Sequence, residues 1–373
     1  MLTLVLLALV AGSLVYCVLA VIAAEHYGAA RAPEPEGQPP ISILKPLAGV
    51  DLGLDENLRS FFQQSYPRYE VLLAVRSADD PAVAVVERLR SQFPAVPSRL
   101  IVTGEPPYPN AKVFSLHCMF AAARYDLLVM ADSDVRVTPA LLSTLAAEFQ
   151  DEKTGLVTCP YRAVPGPSFW SRLEAIGLNT EFLAGVLVAR LLDGMQFALG
   201  PTIAARRQTL ADLGGFHALK DYLAEDFVMG KLAAELGWRV ILSSYAIEHH
   251  IGSQPFGANL KHRMRWNRST RRSRPWGYVG QVFTNPLPLA IIFIAAVPAW
   301  WPVLVVAAAF RGLAGWAAAG RVLHDPLTLR NWWLVPVQDC TSFVLWLAGF
   351  FGNTILWRGR KYRVLRDGRF RAA

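Results

Sequence analysis

Two aspartates, Asp132 and Asp134, stand one residue apart directly after a run of β-forming apolar residues at 127–130. Such a run is typical of a buried strand, and in an open α/β sheet ligands bind outside the carboxyl ends of the strands. Two carboxylates at a strand end suit Mg²⁺ or Mn²⁺, because these ions take oxygen ligands and share them with substrate phosphates. An isolated pair is more often explained by a turn cap at Asp132 and a solvated Asp134, so its meaning depends on the motifs that accompany it.

Two further carboxylate groups occur at positions where a nucleotide-sugar site could use them. Asp80 follows a predicted strand at 69–75 and could accept hydrogen bonds from the imide of a base or the hydroxyls of a ribose. The alternative is that it caps the helix beginning at Pro81, a favoured first helical residue. Glu225 and Asp226 open a later helix, where the helix dipole favours acids. The functional interpretation of this pair is a general base that removes a proton from a hydroxyl as it attacks a sugar carbon.

Basic and aromatic residues supply groups that can bind phosphates. Arg263 and Arg265 are followed by Trp266. Guanidinium groups pair with diphosphate oxygens in bidentate geometry, and the indole could stack on a sugar or on the acceptor. Lys112, at the start of a predicted helix, is another candidate phosphate contact. The alternatives are a basic patch beside a membrane for the arginines and a solvated side chain for Lys112.

The elements that must position these residues alternate between strand and helix. We predict strands at 41–44, 69–75, 99–102 and 126–130, and helices at 54–64, 81–92 and 112–124. This alternation is typical of βαβ units and a parallel sheet. Beyond residue 150 the pattern is weaker, with strands expected at 155–159 and 238–242. A long helix with few charges is expected at 169–192, lying either in the core or at the membrane interface.

The chain also carries uncharged segments long enough for a bilayer. Residues 1–24 contain no charged side chain and exceed the roughly 20 residues that cross a membrane. They lack the basic leader of a cleaved signal peptide, so we expect a retained anchor. Residues 279–310 are uncharged and residues 331–357 carry only Asp339, with tryptophans near the ends of these runs, as in an aromatic belt. The sequence therefore predicts an integral membrane protein with one N-terminal and two to three C-terminal membrane segments.

The formal net charge of +8 is concentrated in two segments. Residues 261–274 contain seven Lys or Arg and no acid, and residues 358–373 contain seven and one acid. Basic segments beside apolar spans mark the cytoplasmic side and attract anionic lipids, and this position argues against a nucleic-acid partner. We therefore expect the catalytic region and the tail to face the cytoplasm, which requires an even number of crossings after Thr284. The four cysteines show neither zinc-site spacing nor a disulfide framework.

The order of these motifs along the chain resembles that of family 2-type inverting glycosyltransferases with the GT-A fold, and most of all the ceramide glucosyltransferases. The resemblance covers nearly the whole chain. It is carried by segments 44–51, 66–73, 79–82, 125–128, 214–216, 222–226, 237–239 and 357–363.

This resemblance implies roles for individual residues. Asp80 and Asp132 would engage the UDP moiety, Asp134 would complete the metal site with Asp132, and Asp226 would be the base. Arg265 and Trp266 occupy the last two positions of the family's Gln/Arg-x-x-Arg-Trp motif. The first position here is His262, which departs from the motif, and neighbouring Arg263 is the candidate to take its role.

The resemblance also implies a domain plan and an activity. The plan is a transmembrane anchor at 1–24, a linker at 25–40, a GT-A catalytic domain at 41–278, a C-terminal membrane region at 279–357 and a basic cytoplasmic tail at 358–373. The expected activity is inverting transfer from a UDP-sugar, UDP-glucose being favoured, to a hydroxyl of a membrane lipid, ceramide being favoured, with Mg²⁺ or Mn²⁺ as cofactor.

Several alternatives remain open. The enzyme could transfer N-acetylglucosamine or another sugar to a hopanoid or a diacylglycerol. It could be a processive polysaccharide synthase, although only one apolar span precedes the catalytic region. A UDP-sugar-binding protein without activity is the third alternative, against which the full set of acids argues.

Overall fold

The centre of the fold is a seven-stranded sheet that is mostly parallel. The structure is a computed structural model that describes residues 1–29, 37–357 and 360–373. Its strands are β1 (Ile41–Pro46), β2 (Tyr69–Val75), β3 (Ser98–Val102), β4 (Leu127–Ala131), β5 (Val135–Arg136), β6 (Thr154–Thr158), β7 (Tyr161–Pro165), β8 (Thr202–Arg206), β9 (Arg239–Leu242), β10 (Ile247–Gly252), β11 (Thr354–Trp357), β12 (Arg360–Val364) and β13 (Phe370–Ala372). The large sheet has the order β3-β2-β1-β4-β8-β6-β9, in which β8 alone runs antiparallel to its two neighbours.

Helices cover both faces of this sheet. They are α1 (Leu2–Gly28), α2 (Leu54–Phe62), α3 (Ala82–Gln92), α4 (Ala111–Ala122), α5 (Leu141–Glu148), α6 (Phe169–Gly177), α7 (Leu183–Asp193), α8 (Arg207–Asp212), α9 (Glu225–Glu235), α10 (Phe256–Ser273), α11 (Pro275–Gly280), α12 (Pro286–Ala296), α13 (Pro302–Gly315), α14 (Pro326–Arg330) and α15 (Val335–Gly349). The strands and helices predicted before residue 131 all form, with bounds that shift by at most two residues. The parallel α/β prediction is therefore confirmed.

Alternating side chains of the central strands enter two separate cores. Val71 and Leu73 of β2 pack in one core with α2, α3 and α5, whereas Leu72 and Ala74 pack in the other with α4 and α9. All seven residues of β2 are buried. Burial on both faces is what a near-continuous apolar strand in a parallel sheet requires.

The long helix predicted at 169–192 forms, but it is interrupted. A π-helical turn, Leu178–Phe182, joins α6 to α7. Although this helix is long and apolar enough to cross a membrane, most of it is buried inside the protein. Of the two predicted locations for this helix, the protein core therefore covers more of the helix surface than the membrane interface can.

Three described helices are long and apolar enough to span a bilayer: Leu2–Gly28, Phe169–Asp193 and Pro298–Val322. A fourth candidate is the pair Pro275–Thr284 and Pro286–Ala296, which is bent by 65°. The apolar run at 331–357 was expected to supply a further membrane segment. Instead it divides into the 15-residue helix α15 and strand β11, and it is not among the candidate spans.

Two charges lie buried within this apolar region. Arg311 of α13 donates two hydrogen bonds of 2.8 Å to the carboxylate of Asp339 on α15. A third bond, of 3.0 Å, reaches Thr180 in the π-helical turn. A charge in a membrane segment is tolerated when it is paired in the protein interior, so this pair explains the acid in the otherwise uncharged run 331–357.

The basic C-terminal segment is folded. Strands β11, β12 and β13 form an antiparallel sheet, which the charge pattern of the sequence did not indicate. This sheet packs on the 221–223 segment of the α/β region, where the backbone N–H of Phe370 donates to the carbonyl of Asp221 at 2.9 Å. The tail and the α/β region therefore lie on the same side of any membrane that the apolar helices enter. The predicted linker 25–40 lies partly outside the described residues, at 30–36.

Candidate active site

The candidate site lies where β1 and β4 are neighbours in the sheet. Connections run outward from β1 through β2 to β3 on one side and begin again at β4 on the other. A crevice opens at such a reversal outside the carboxyl ends of the strands. Asp132 follows β4 directly, and Lys45 lies near the end of β1.

Lys45 fixes the turn that carries the two aspartates. Its side chain is fully buried, its ammonium donates a hydrogen bond to the backbone carbonyl of Asp132, and it lies 3.9 Å from the ring centroid of Phe61. Burial lowers the pKa of Lys45 to about 7, although the nearby Asp132 and Asp134 oppose this shift. Sequence analysis assigned no role to Lys45. A lysine inside the apolar strand β1 was the available signal.

Lys112 joins two of the predicted acids. Its ammonium lies 2.7 Å from Asp132 and 3.2 Å from Glu225. Burial acts to lower the pKa of Lys112, but the two carboxylates outweigh burial and raise the pKa. Lys112 lies in the first turn of α4, whose N-terminus is capped by the Asn110 side chain. Of its two predicted roles, the solvated side chain is excluded by these contacts.

Asp134 is held from the second, smaller sheet. Its Oδ2 lies 3.1 Å from Nε2 of His249 on β10, which pairs antiparallel with β5. Burial acts to raise the pKa of Asp134, but His249 and Lys45 outweigh it and lower the pKa, so the carboxylate is held ionised. Sequence analysis did not identify His249, because the contact joins residues 115 positions apart.

The donor set at this turn fits a divalent cation shared with a substrate. The other oxygen of Asp134, Oδ1, is buried and has no hydrogen-bond partner among the described residues, so it is available as a ligand. Within the described part of the chain, no three His, Cys, Asp or Glu side chains are grouped so as to hold a metal ion by themselves. Carboxylate oxygens combined with phosphate oxygens are the arrangement that Mg²⁺ and Mn²⁺ favour.

Asp226 faces the same cleft from the start of α9. A Cβ on Gly200 would lie 2.6 Å from Oδ2 of Asp226. A Cβ on Gly230 would lie 2.3 Å from the backbone of residues 197–198. The two glycines thus let α9 approach the 197–200 segment closely. Burial, reinforced by the charge of Glu225, raises the pKa of Asp226 to about 6. A carboxylate with this pKa is well suited to act as a general base near neutral pH.

Glu225 differs from Asp226 in its contacts. Its carboxylate is held by the Lys112 ammonium and, at 3.4 Å, by the amide of Asn110. The carboxylate of Asp226 accepts a hydrogen bond from the backbone N–H of Phe227. Glu225 is therefore the acid of the pair that is tied to Lys112 and Asn110, whereas Asp226 is the one whose pKa is raised toward neutrality.

Asp80 lies in the loop between β2 and α3, and its carboxylate holds backbone N–H groups of two segments. Its carboxylate accepts hydrogen bonds from the backbone N–H groups of Ala82, at 2.9 Å, and Gly49, at 3.1 Å. Asp80 thus accepts the N–H of the first residue of α3, although Pro81 and not Asp80 stands at the N-cap position, and its contact with UDP stays a prediction. Because Gly49 follows β1, Asp80 also ties together two loops at the edge of the sheet where the other acids lie.

The arginine–tryptophan motif lies on α10. Trp266 packs partly buried against the larger core, with its ring 4.8 Å from the ring of His262. His262 Nδ1 lies 3.0 Å from the buried carboxylate of Glu174. Arg263 donates to Ser342 of α15 at 2.9 Å, so it is turned toward the apolar region and does not replace His262.

The structure brings together four of the predicted site residues, namely Lys112, Asp132, Asp134 and Asp226. One cleft is lined by Lys112, Asp132, Glu225 and Asp226 together with apolar residues of β4, β8 and the two flanking helices. Asp134 joins this group through the turn after β4. Asp80 lies at the neighbouring loop, and Arg265 and Trp266 lie on α10.

A mostly parallel α/β sheet with paired carboxylates after the fourth strand and a half-buried acid opposite them defines a glycosyltransferase of the GT-A fold. A family model for glycosyl transferase family 21 matches residues 3–370, and the chain belongs to this family.

Characterised proteins with sequence similarity lead to the same class. Ceramide glucosyltransferase 3 of Caenorhabditis elegans is 24% identical over 349 residues, which are 91% of this chain and 75% of that protein. Ceramide glucosyltransferase 1 of the same organism is 25% identical over 90% of this chain and 74% of that protein. A mannosyltransferase of Pyrobaculum calidifontis, solved with GDP-mannose and Mn²⁺, has a similar fold with a TM-score of 0.57 and 19% identity. That comparison covers 93% of this chain and 99% of the mannosyltransferase.

Proposed function

We propose that this membrane protein transfers glucose from UDP-glucose to the primary hydroxyl of ceramide, with inversion at the sugar carbon. The observation that carries the proposal is the position of Asp226. It is an acid with a pKa of about 6 that lines one cleft with Asp132 and Lys112. The identity of donor and acceptor is supported by the similarity to ceramide glucosyltransferases over about nine-tenths of the chain.

In this proposal the chain itself performs three tasks at the donor. Lys112 holds Asp132 in place and adds positive charge beside the diphosphate. Asp132 and the free oxygen of Asp134 would hold Mg²⁺ or Mn²⁺, which when bound neutralises charge on the leaving UDP. Arg265 would pair with the diphosphate, and Asp80 would orient the nucleoside through the loop that it holds.

At the acceptor, Asp226 removes the proton from the attacking hydroxyl. Attack on the anomeric carbon from the side opposite UDP inverts that centre in a single displacement, so no covalent sugar–enzyme intermediate is required. Trp266 offers an aromatic face at the boundary between the core and α10, suited to stacking on the sugar or on the acceptor. The apolar helices α1 and α13 would keep the site at the bilayer surface from which the lipid enters. We propose that this surface is cytoplasmic, because the basic segments lie beside the spans.

The decisive experiment is a transfer assay with the purified full chain in mixed micelles. UDP-glucose, UDP-galactose, UDP-glucuronate and UDP-N-acetylglucosamine would each be offered with ceramide, diacylglycerol or a hopanoid, and products would be identified by mass spectrometry. We expect a monoglucosylated ceramide whose anomeric configuration is opposite to that of the donor. A different sugar or lipid would replace our substrate assignment, and a product carrying a sugar chain would indicate a polysaccharide synthase. No transfer to any lipid would refute the proposed function.

A further inference from the structure

The C-terminal sheet contacts the segment that leads directly into Asp226. Asp221 and Tyr222 lie five and four residues before that acid. The carbonyl of Asp221 accepts the backbone N–H of Phe370 at 2.9 Å, and Tyr222 forms an antiparallel bridge with Arg369. The guanidinium of Arg369 lies 5.5 Å from the ring centroid of Tyr222.

Side-chain packing strengthens this contact. Leu223 packs against the small core of the C-terminal sheet, which consists of Ile355, Tyr362, Val364 and Phe370. Phe370 is only 3% exposed, and its ring lies 5.1 Å from that of Tyr362. The apolar anchor of the 221–224 segment is therefore supplied by the end of the chain.

The same segment is also held by Asn110, the residue that caps the N-terminus of α4 beside Lys112. Asn110 donates to the carbonyl of Tyr222 at 2.9 Å and also reaches Glu225 at 3.4 Å. Two consecutive carbonyls, of Asp221 and Tyr222, are thus held from two directions. Removing one of these supports leaves the backbone before Asp226 fixed on one side only.

The C-terminal sheet is attached in turn to the basic helix α10. Arg271 donates to the carbonyls of Phe350 and Gly352, and Arg268 donates to that of Thr354, where β11 begins. The same helix carries Arg265 and Trp266. The sheet therefore connects the helix assigned to the diphosphate with the segment that carries the base.

We propose that the C-terminal sheet is a positioning element for the base, and that Phe370 and Arg369 are its positioning residues. They hold the 221–224 segment so that Asp226 reaches the acceptor hydroxyl, while taking no part in donor binding. This inference rests on the proposed role of Asp226. It differs from a purely structural role because it predicts a loss of turnover without a loss of donor affinity.

The test compares Phe370→Ala with Phe370→Leu and with Arg371→Ala in the full chain. Leucine retains an apolar anchor, and Arg371 is the exposed neighbour on β13 whose side chain points to the other face of the sheet. Because a misplacement of about 1 Å can cost roughly 100-fold in rate, we expect Phe370→Ala to lower kcat by about 10- to 100-fold. The KM for the UDP-sugar and the binding of UDP alone should stay within about twofold, as for an interaction made only in the transition state. Phe370→Leu should recover most of the turnover, and Arg371→Ala should leave it unchanged.

Hydrogen–deuterium exchange gives a readout that does not depend on the lipid used. In Phe370→Ala, amides of residues 221–226 should exchange faster, whereas those of residues 131–135 should be unchanged. Full turnover in Phe370→Ala, equal loss of turnover in Arg371→Ala, or parallel loss of UDP binding and turnover would each overturn the positioning role, as would unchanged exchange at 221–226. Failure of the wild type to transfer sugar would instead count against the proposed function.

Discussion

The rate of sugar transfer should follow the ionisation of Asp226. Burial raises the pKa of this acid to about 6 from a model-compound value of 3.8. A base must be deprotonated, so about nine-tenths of the enzyme is competent at pH 7 and about one-tenth at pH 5, which predicts a roughly tenfold fall in kcat. With an ordinary aspartate pKa the rate would hardly change over this interval. The acid limb of the profile therefore reports whether the base is the buried carboxylate.

Two neighbouring charges should move this limb in opposite directions. The negative charge of Glu225 raises the pKa of Asp226, and the positive charge of Lys112 lowers it. Glu225→Gln should therefore shift the limb to lower pH, and Lys112→Met should shift it to higher pH. Glutamine can still meet Asn110 and Lys112, so Glu225→Gln should keep most of its turnover at pH 7.

The substitution Asp226→Asn should abolish the base while preserving its shape. General-base contributions are typically about 10²- to 10⁴-fold, so turnover should fall by that factor while UDP binding is retained. The assay is initial-rate transfer to ceramide between pH 4.5 and 8, with UDP binding measured separately. If Glu225→Gln is the inactive variant and Asp226→Asn remains active, the assignment of the base is wrong and the two residues exchange roles.

Three further outcomes are expected. Asp134→Ala should remove most of the transfer activity, and so should EDTA added to the wild type. Added Mn²⁺ or Mg²⁺ should restore activity to the EDTA-treated wild type but not to the variant. Full activity in EDTA would show that Lys112 and Arg265 suffice to stabilise the leaving group. Asp226→Asn should not lower the melting temperature at pH 7. Folding raises the pKa of the Asp226 carboxyl, so its ionised form destabilises the folded protein. This cost is at most about 3 kcal/mol and is fully present above about pH 6. Reporter fusions within residues 53–58 and at Ala373 should report the same side of the membrane, and the charge pattern of the sequence predicts that this side is the cytoplasm. If both fusions report the other side, the charge argument is refuted, but the contact between the tail and the α/β region is not.

The first half of the sheet was predictable because local and global signals agree there. Strands β1 to β4 are rich in β-forming apolar residues and alternate with helices of ordinary length, so their type and order follow from periodicity. The Asp132–Asp134 pair was predictable for the same reason, since it ends one of these strands. The antiparallel strand β8 was not predicted, because its insertion between β4 and β6 depends on contacts across the whole sheet.

Other features depended on partners distant in sequence. Asp339 was visible as an acid in an apolar run, but its neutralisation by Arg311 required the packing of α13 on α15. The basic residues after 357 led to the prediction of a charged tail without secondary structure of its own. The C-terminal segment is a sheet because four apolar residues form a small core: Ile355, Tyr362, Val364 and Phe370. His249 lies beside His250 on β10, and the sequence offers no indication of which of the two faces Asp134.

The charges around the cleft argue that the site is built for a cation together with a nucleotide. Asp132, Asp134, Glu225 and Asp226 supply four carboxylates, and the ammonium of Lys112 forms ion pairs with two of them, Asp132 and Glu225. His249 pairs with Asp134, and burial brings the pKa of Lys45 to about 7, which leaves that side chain only partly charged at neutral pH. Negative charges gathered in a partly buried site are costly. A divalent ion would relieve this cost and would attract a diphosphate that the carboxylates alone would repel. Burial is the main cause of the raised pKa of Asp226, and the nearby charge of Glu225 adds to it.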